Sequence, residues 1–169
     1  CGLPYLAQWN TLTCYPLSAL YLLLPLPWSL NLFCLLHLFL AGLGMRQLAL
    51  RWTGDSGAAA LAGVAFALNG LLVNALMWPN NIAAFGWMPW VVLAVARARA
   101  EGGRRLWPAM VCGAMQMLAG APEVILCTWL VNLALLVAEV LAGGRANARA
   151  SALQAMRLAT VMIDAAEVL

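Results

Sequence analysis

Few side chains in this sequence can do chemistry, and they stand far apart. The one histidine is His37, inside an apolar run; Glu123 follows Ala121-Pro122, and Asn74, Asn80 and Asn81 surround Trp78-Pro79. These five are the candidate substrate-binding residues. An imidazole and a carboxylate can exchange protons, and an amide both donates and accepts hydrogen bonds. No catalytic residue is assigned, because no nucleophile stands beside a base and no glycine-rich phosphate loop is present. A histidine-based metal cluster is excluded within a sequence holding one histidine, and the spacing offers no other metal site. The five cysteines, at 1, 14, 34, 112 and 127, match no zinc or redox spacing.

Each candidate has a competing structural role. His37 can bond a neighbouring carbonyl inside a helical bundle. Asn69, Asn74 and Asn132 can join helices, as polar side chains do in membranes. Glu123, at a helix start, can meet the positive end of the helix dipole.

The composition says what must position these groups. Of 169 residues 65% are hydrophobic and 9% charged, with mean hydropathy +0.89. A soluble domain carries about 25% charged residues, so the solvent for most of this chain is lipid. The net charge of +3, without a single lysine, gives no reason to expect a nucleic-acid partner.

A spanning helix needs about 20 apolar residues. Residues 28–50, 58–77, 82–96, 106–118 and 124–141 read as five spans, and 153–169 as part of a sixth. Thr53-Gly54-Asp55-Ser56-Gly57 is a polar turn in which Asp55 or Ser56 caps the second span. Trp78-Pro79-Asn80-Asn81 reads as a tight turn at the other face. Pro89 falls inside the third span and Pro108 in the first turn of the fourth. These two spans are short, and a re-entrant pair is the alternative. Residues 1–27, rich in aromatics and proline, read as the end of an extracytoplasmic loop with a surface helix at Leu17–Leu24. The expected fold is thus an all-α, polytopic transmembrane bundle. With Cys at position 1 and no basic segment ahead of the first apolar run, the sequence reads as a piece of a longer chain without a signal peptide.

Alternating the spans puts Arg46 and Arg51, then Arg97, Arg99, Arg104 and Arg105, then Arg145, Arg149 and Arg157 on one side. By the positive-inside rule that side is cytoplasmic. His37, Asn74, Asn80, Asn81 and Glu123 then fall in or near the opposite leaflet, where they suggest a hydrated cavity opening outward.

The order of several segments resembles the YfhO-like bacterial membrane proteins of the GT-C glycosyltransferase superfamily. They are Gly2-Leu3-Pro4 with Tyr15-Pro16, His37 to Gly44, Ala60 to Gly70, Trp87-Met88-Pro89-Trp90 and Leu118 to Glu123, together covering roughly residues 1–141. The resemblance implies a GT-C-like bundle in the bacterial cytoplasmic membrane, with an outward-facing site. There a sugar moves from a polyprenyl-phosphate donor to a cell-envelope acceptor, usually with inversion. It also implies an acidic base early in the first extracytoplasmic loop. Residues 1–27 hold no Asp or Glu, so that base is expected upstream. The implied partners are membrane lipid and the lipid-linked sugar, with His37 assisting the donor phosphate and Glu123, Asn80 and Asn81 on the acceptor side. The outward face has no Arg or Lys to hold a phosphate, a departure that leaves the clamp to other sequence or to a divalent metal. The alternative is a multi-spanning transporter, flippase-type or structural membrane protein without covalent chemistry, with Asn69 and Asn132 deep enough to line a path.

Overall fold

A computed structural model describes residues 8–142. The resembling Gly2-Leu3-Pro4 segment, Arg145, Arg149, Arg157 and the apolar run 153–169 lie outside the described residues. Helices and turns make up everything described, without a strand. Single 3-10 turns at Trp9–Thr11 and Pro16–Ala19 lead into α1 (Leu20–Leu23). There follow α2 (Leu26–Thr53), α3 (Ser56–Ala67), α4 (Gly70–Ala75), α5 (Pro79–Glu101), α6 (Leu106–Leu118) and α7 (Pro122–Ala142).

Four stretches are long and apolar enough to cross a membrane: α2, α3 with α4 (Ser56–Ala75), α5, and α7 over Pro122–Leu141. The chain is an integral membrane protein of the all-helical kind. α6, with 13 residues, is shorter than these four.

The boundaries follow from local chemistry. Pro27 sits in the first turn of α2, where its missing N–H costs nothing. Asp55 caps α3, its carboxylate accepting from the backbone N–H of Gly57 at 2.9 Å and of Ala58 at 3.3 Å. The second span is broken: Asn69 accepts from Leu72 N–H at 2.9 Å and donates to Phe66 O at 2.7 Å, ending α3 and starting α4. Its role is a cap rather than a bridge between helices.

The expected turn at Trp78–Asn81 is instead the start of α5. Trp78 is the N-cap, and Pro79, Asn80 and Asn81 form the first turn. A proline followed by asparagines suits a turn and a helix start equally well. The third span therefore has 23 residues rather than the short 82–96 stretch, and Pro89 lies inside it without ending it. The expected surface helix reduces to a 3-10 turn and the four-residue α1, which leads into α2.

α5 is the central element. Its best apolar window is 61% buried, against 22% for α2, 17% for α3–α4 and 22% for α7. Those three helices turn large apolar side chains outward, Phe39, Leu61, Leu130 and Leu133 among them. That surface belongs in hydrocarbon rather than water.

α2 and α5 run parallel. Phe33 clusters with Ile82 and Ala83 near one end, and Leu48 with Val92 and Leu93 near the other. Between them Trp90 Nε1 donates to Leu40 O at 2.9 Å. α6 runs back: Ala109 clusters with Val95 and Ala98, Gln116 donates to Ala84 O, and Asn80 reaches Gly120 O. α7 again parallels α5, bonded through Thr128 to Gln116 and pairing Glu139 with Arg99. Arg46, Arg51, Arg97, Arg99, Arg104 and Arg105 thus gather at one end of the bundle. Tyr15, Asn80 and Glu123 are at the other.

Candidate functional site

Residues 8–24 fold onto the arginine-free end, where Tyr15 supplies their side-chain hydrogen bonds to α2 and α5. Leu12 and Tyr15 are buried in the same cluster as Phe33, Ile82, Ala121 and Val124. Leu12 adopts a left-handed backbone, φ 55°, which for a side-chain-bearing residue costs about 1–2 kcal/mol. Burial of Leu12 in the core offsets this.

Tyr15 reaches down between α2 and α5 to His37. Their hydroxyl and Nε2 are 2.6 Å apart, and His37 Nδ1 lies 2.7 Å from Phe33 O. A backbone carbonyl only accepts, so Nδ1 carries the proton and Nε2 accepts from the Tyr15 hydroxyl. The Tyr15 oxygen in turn accepts from Trp87 Nε1–H at 2.7 Å. The chain of donation is therefore Trp87 to Tyr15 to His37 to Phe33, with every member satisfied. Aromatic packing closes around it, with Phe33 and His37 ring centroids 4.2 Å apart.

Gly86 makes this geometry possible. A Cβ there would lie 3.2 Å from both His37 Cδ2 and His37 O, so a side chain on α5 would push α2 away. Burial pushes the Tyr15 phenol up to about 12, although the bond from Trp87 acts the other way.

His37 is therefore not a lining residue of an outward cavity. It is 0% exposed, with both ring nitrogens occupied. Bonding to a neighbouring carbonyl, the structural role open to it from sequence, is what it does.

The other candidates separate. Asn74 is exposed on α4, and its side chain bonds to nothing described. Asn80 is half-buried and donates to Gly120 O at 3.3 Å, tying the start of α5 to the α6–α7 turn. Asn81, next to it, keeps a buried Oδ1 without a partner. Glu123 is exposed in the first turn of α7 and forms no bond with a described side chain. Among the described residues it is the one charged group at this end, since Asp55, Glu101 and Glu139 lie at the arginine end. The arrangement brings Asn80, Asn81 and Glu123 to one end of the bundle, with His37 sealed beneath them. Among the described residues no three His, Cys, Asp or Glu side chains come together to hold a metal.

Two features were not legible as a site. One is a buried polar row: Gln116 donates to Ala84 O and, at 2.7 Å, to Thr128 Oγ1, which donates to Val124 O, while Asn132 donates to Thr128 O. Gln116 Oε1 is left without a partner. Polar residues at positions 116, 128 and 132 are the sequence signal, but their convergence needs the α6–α7 turn. The other is an apolar crevice of about 800 Å³ beside the arginine-free end, lined by Leu24, Trp28, Asn31, Cys34, Leu38 and Leu76.

No family model, curated protein or solved structure matches the chain.

Proposed function

We propose that the chain is part of a GT-C-type membrane glycosyltransferase of the bacterial cytoplasmic membrane, with its arginines cytoplasmic and its working face opposite. The observation that carries the reading is a juxtaposition. The free carboxylate of Glu123, the docked segment 8–24 and the apolar crevice share the arginine-free end. A polyprenyl-phosphate sugar needs both an apolar bed for its isoprenoid chain and polar groups at the membrane surface, and these features supply them. The order of the resembling segments is the other support.

In this reading Glu123 and Asn81 bind acceptor hydroxyls, and the crevice takes the isoprenoid chain. Deprotonation of the acceptor falls to a carboxylate outside these residues, and phosphate neutralisation to a cation from other sequence or a divalent metal. His37 acts indirectly, by holding Tyr15 and with it the segment 8–24. In this reading α6 is a fifth crossing, which is supported by bonds running from the arginine end to the Asn80 end. In membranes containing the full-length protein, Glu123→Gln should lower sugar transfer from a polyprenyl-phosphate donor about tenfold or more, as loss of a substrate hydrogen bond at a working site does. Unchanged transfer at equal protein level would remove Glu123 from the site.

A transporter without covalent chemistry is the second reading, favoured by the buried row Gln116–Thr128–Asn132. It requires that Gln116→Leu stop translocation of a solute while Glu123→Gln does not.

A further inference from the structure

Two spanning helices aim complementary groups at one point, and the atom that fills it belongs to neither. His37 of α2 accepts and Trp87 of α5 donates. Both meet the Tyr15 hydroxyl oxygen, Nε2 at 2.6 Å and Nε1 at 2.7 Å. The imidazole is held in place without Tyr15. Its Nδ1–H donates to Phe33 O on the same helix, and α5 lies against it at Gly86, where a Cβ would come within 3.2 Å of the ring. An acceptor and a donor so placed suit a hydroxyl, which answers both with a single oxygen. The Tyr15 ring fills the space above, 1% exposed and edge-on to Phe33 with centroids 6.0 Å apart. Among the described residues no charged side chain bonds to Tyr15, His37 or Trp87, so the space suits an uncharged ring.

The segment that carries Tyr15 is lightly tied to the bundle. Among the described residues no backbone hydrogen bond joins residues 8–24 to a spanning helix. The N–H groups of Thr11, Tyr15, Ser18 and Leu24 all bond within the segment. Leu24 and Pro25 are extended, with ψ 152° and 142°, and separate α1 from α2. Rotation at these two residues swings the segment without unwinding a spanning helix. Docking also carries two costs that undocking relieves, the left-handed backbone of Leu12 and the buried, unpartnered Tyr21 hydroxyl. Elements with few bonds to the core are the ones that open locally.

We propose that residues 8–24 are a lid over a hydroxyl-binding pocket between α2 and α5, with Tyr15 as its built-in occupant. With the lid lifted, the pocket takes a hydroxyl carried on an uncharged ring. The ligand O–H donates to His37 Nε2 and its oxygen accepts from Trp87 Nε1–H, repeating the two bonds that Tyr15 makes. The inference rests on these contacts and not on the transferase reading.

The probe is p-cresol, the tyrosine side chain as a free molecule. Toluene at equal concentration controls for general effects on the detergent micelle. In the full-length protein, p-cresol should raise amide hydrogen exchange across residues 17–24, and toluene should leave it as it was. In Tyr15→Phe the lid keeps its ring but loses both bonds. Half-maximal opening should then need about tenfold less p-cresol, the worth of roughly one hydrogen bond. In His37→Leu the preference for p-cresol over toluene should fall about tenfold on the same scale. Exchange left unchanged by p-cresol in both the unaltered protein and Tyr15→Phe would overturn the proposal. So would equal opening by p-cresol and toluene, or an undiminished preference in His37→Leu.

Discussion

Tyr15 and Tyr21 stand six positions apart and are opposites in what their hydroxyls do. Tyr15 both donates and accepts, whereas the Tyr21 hydroxyl is buried without a partner, its ring stacked on Phe33 at 5.3 Å. Removing the first hydroxyl strands His37 Nε2 and the Trp87 N–H in the core, and each orphaned group costs about 1–3 kcal/mol. Tyr15→Phe should therefore lower the unfolding free energy in detergent by roughly 2 kcal/mol or more. Tyr21→Phe removes a group that is desolvated for no return, and should leave stability unchanged or raised by about 1 kcal/mol. Alkali should show the same buried pair. Burial pushes both phenols from 10.0 to about 12, so the folded state holds the neutral form more tightly than the unfolded chain does. That stability is complete below pH 10 and is lost as the pH rises towards 12. A pH series of unfolding midpoints should show the decline, and the Tyr15→Phe/Tyr21→Phe double variant should decline less steeply over the same window. The sequence displayed His37 as the conspicuous residue because it is the one histidine. It did not display Tyr15 as its partner, nor Trp87 as the donor to Tyr15, since these contacts are made across 22 and 72 residues.

At the scale of elements, apolar length was the legible quantity, and the places where it misled have local causes. The α3–α4 break lies inside a continuous apolar run. Its one local mark is Asn69-Gly70, a pair suited to turns, and the break exists because the Asn69 amide satisfies two backbone groups at once. A span ending at residue 96 leaves Arg97 and Arg99 outside the helix, as two arginines after an apolar run suggest. Arg99 is instead 8% exposed, carried within the helix because Glu139 of α7 meets it. Glu139, 62% exposed, sits in an apolar run that showed nothing of this role. The pair fixes α7 to α5 at their arginine ends. Exposed ion pairs contribute about 0–1 kcal/mol and breaking a fully buried one costs about 3–5. With one partner solvated, Glu139→Gln should cost about 1–2 kcal/mol on that scale. An Arg99→Gln/Glu139→Gln double variant should be more stable than Glu139→Gln alone, because no buried charge is left unpaired. If the single and double variants unfold at the same point, the pair does not hold α7.

For the whole molecule, the asymmetry of charge and the length of α6 make one testable statement together. Arg46 and Arg51 end α2, Arg97 and Arg99 end α5, and Arg104 and Arg105 open α6. Because α2 and α5 are parallel, all six are at one end whichever way the molecule is inserted. Thirteen residues of α6 cover about 20 Å, less than the ~30 Å of hydrocarbon. By length alone, then, α6 can be a crossing or half of a re-entrant pair. Its contacts favour the crossing proposed above: the chain leaves Arg105 at the basic end and arrives at Gly120, bonded to Asn80, at the other. Flanking turns, with Gly103–Arg105 in a 3-10 helix, make up the missing rise. In a background with cysteines 1, 14, 34, 112 and 127 replaced by serine, Arg104→Cys and Pro122→Cys should react with a membrane-impermeant maleimide from opposite sides. Both positions are exposed. Arg104→Cys should be labelled in inside-out vesicles, as the positive-inside rule requires, and Pro122→Cys in intact cells stripped of their outer membrane. Labelling of both from one side would make α6 re-entrant. The start of α7, with Glu123, would then move to the basic face, and the described residues would leave the arginine-free surface without a carboxylate.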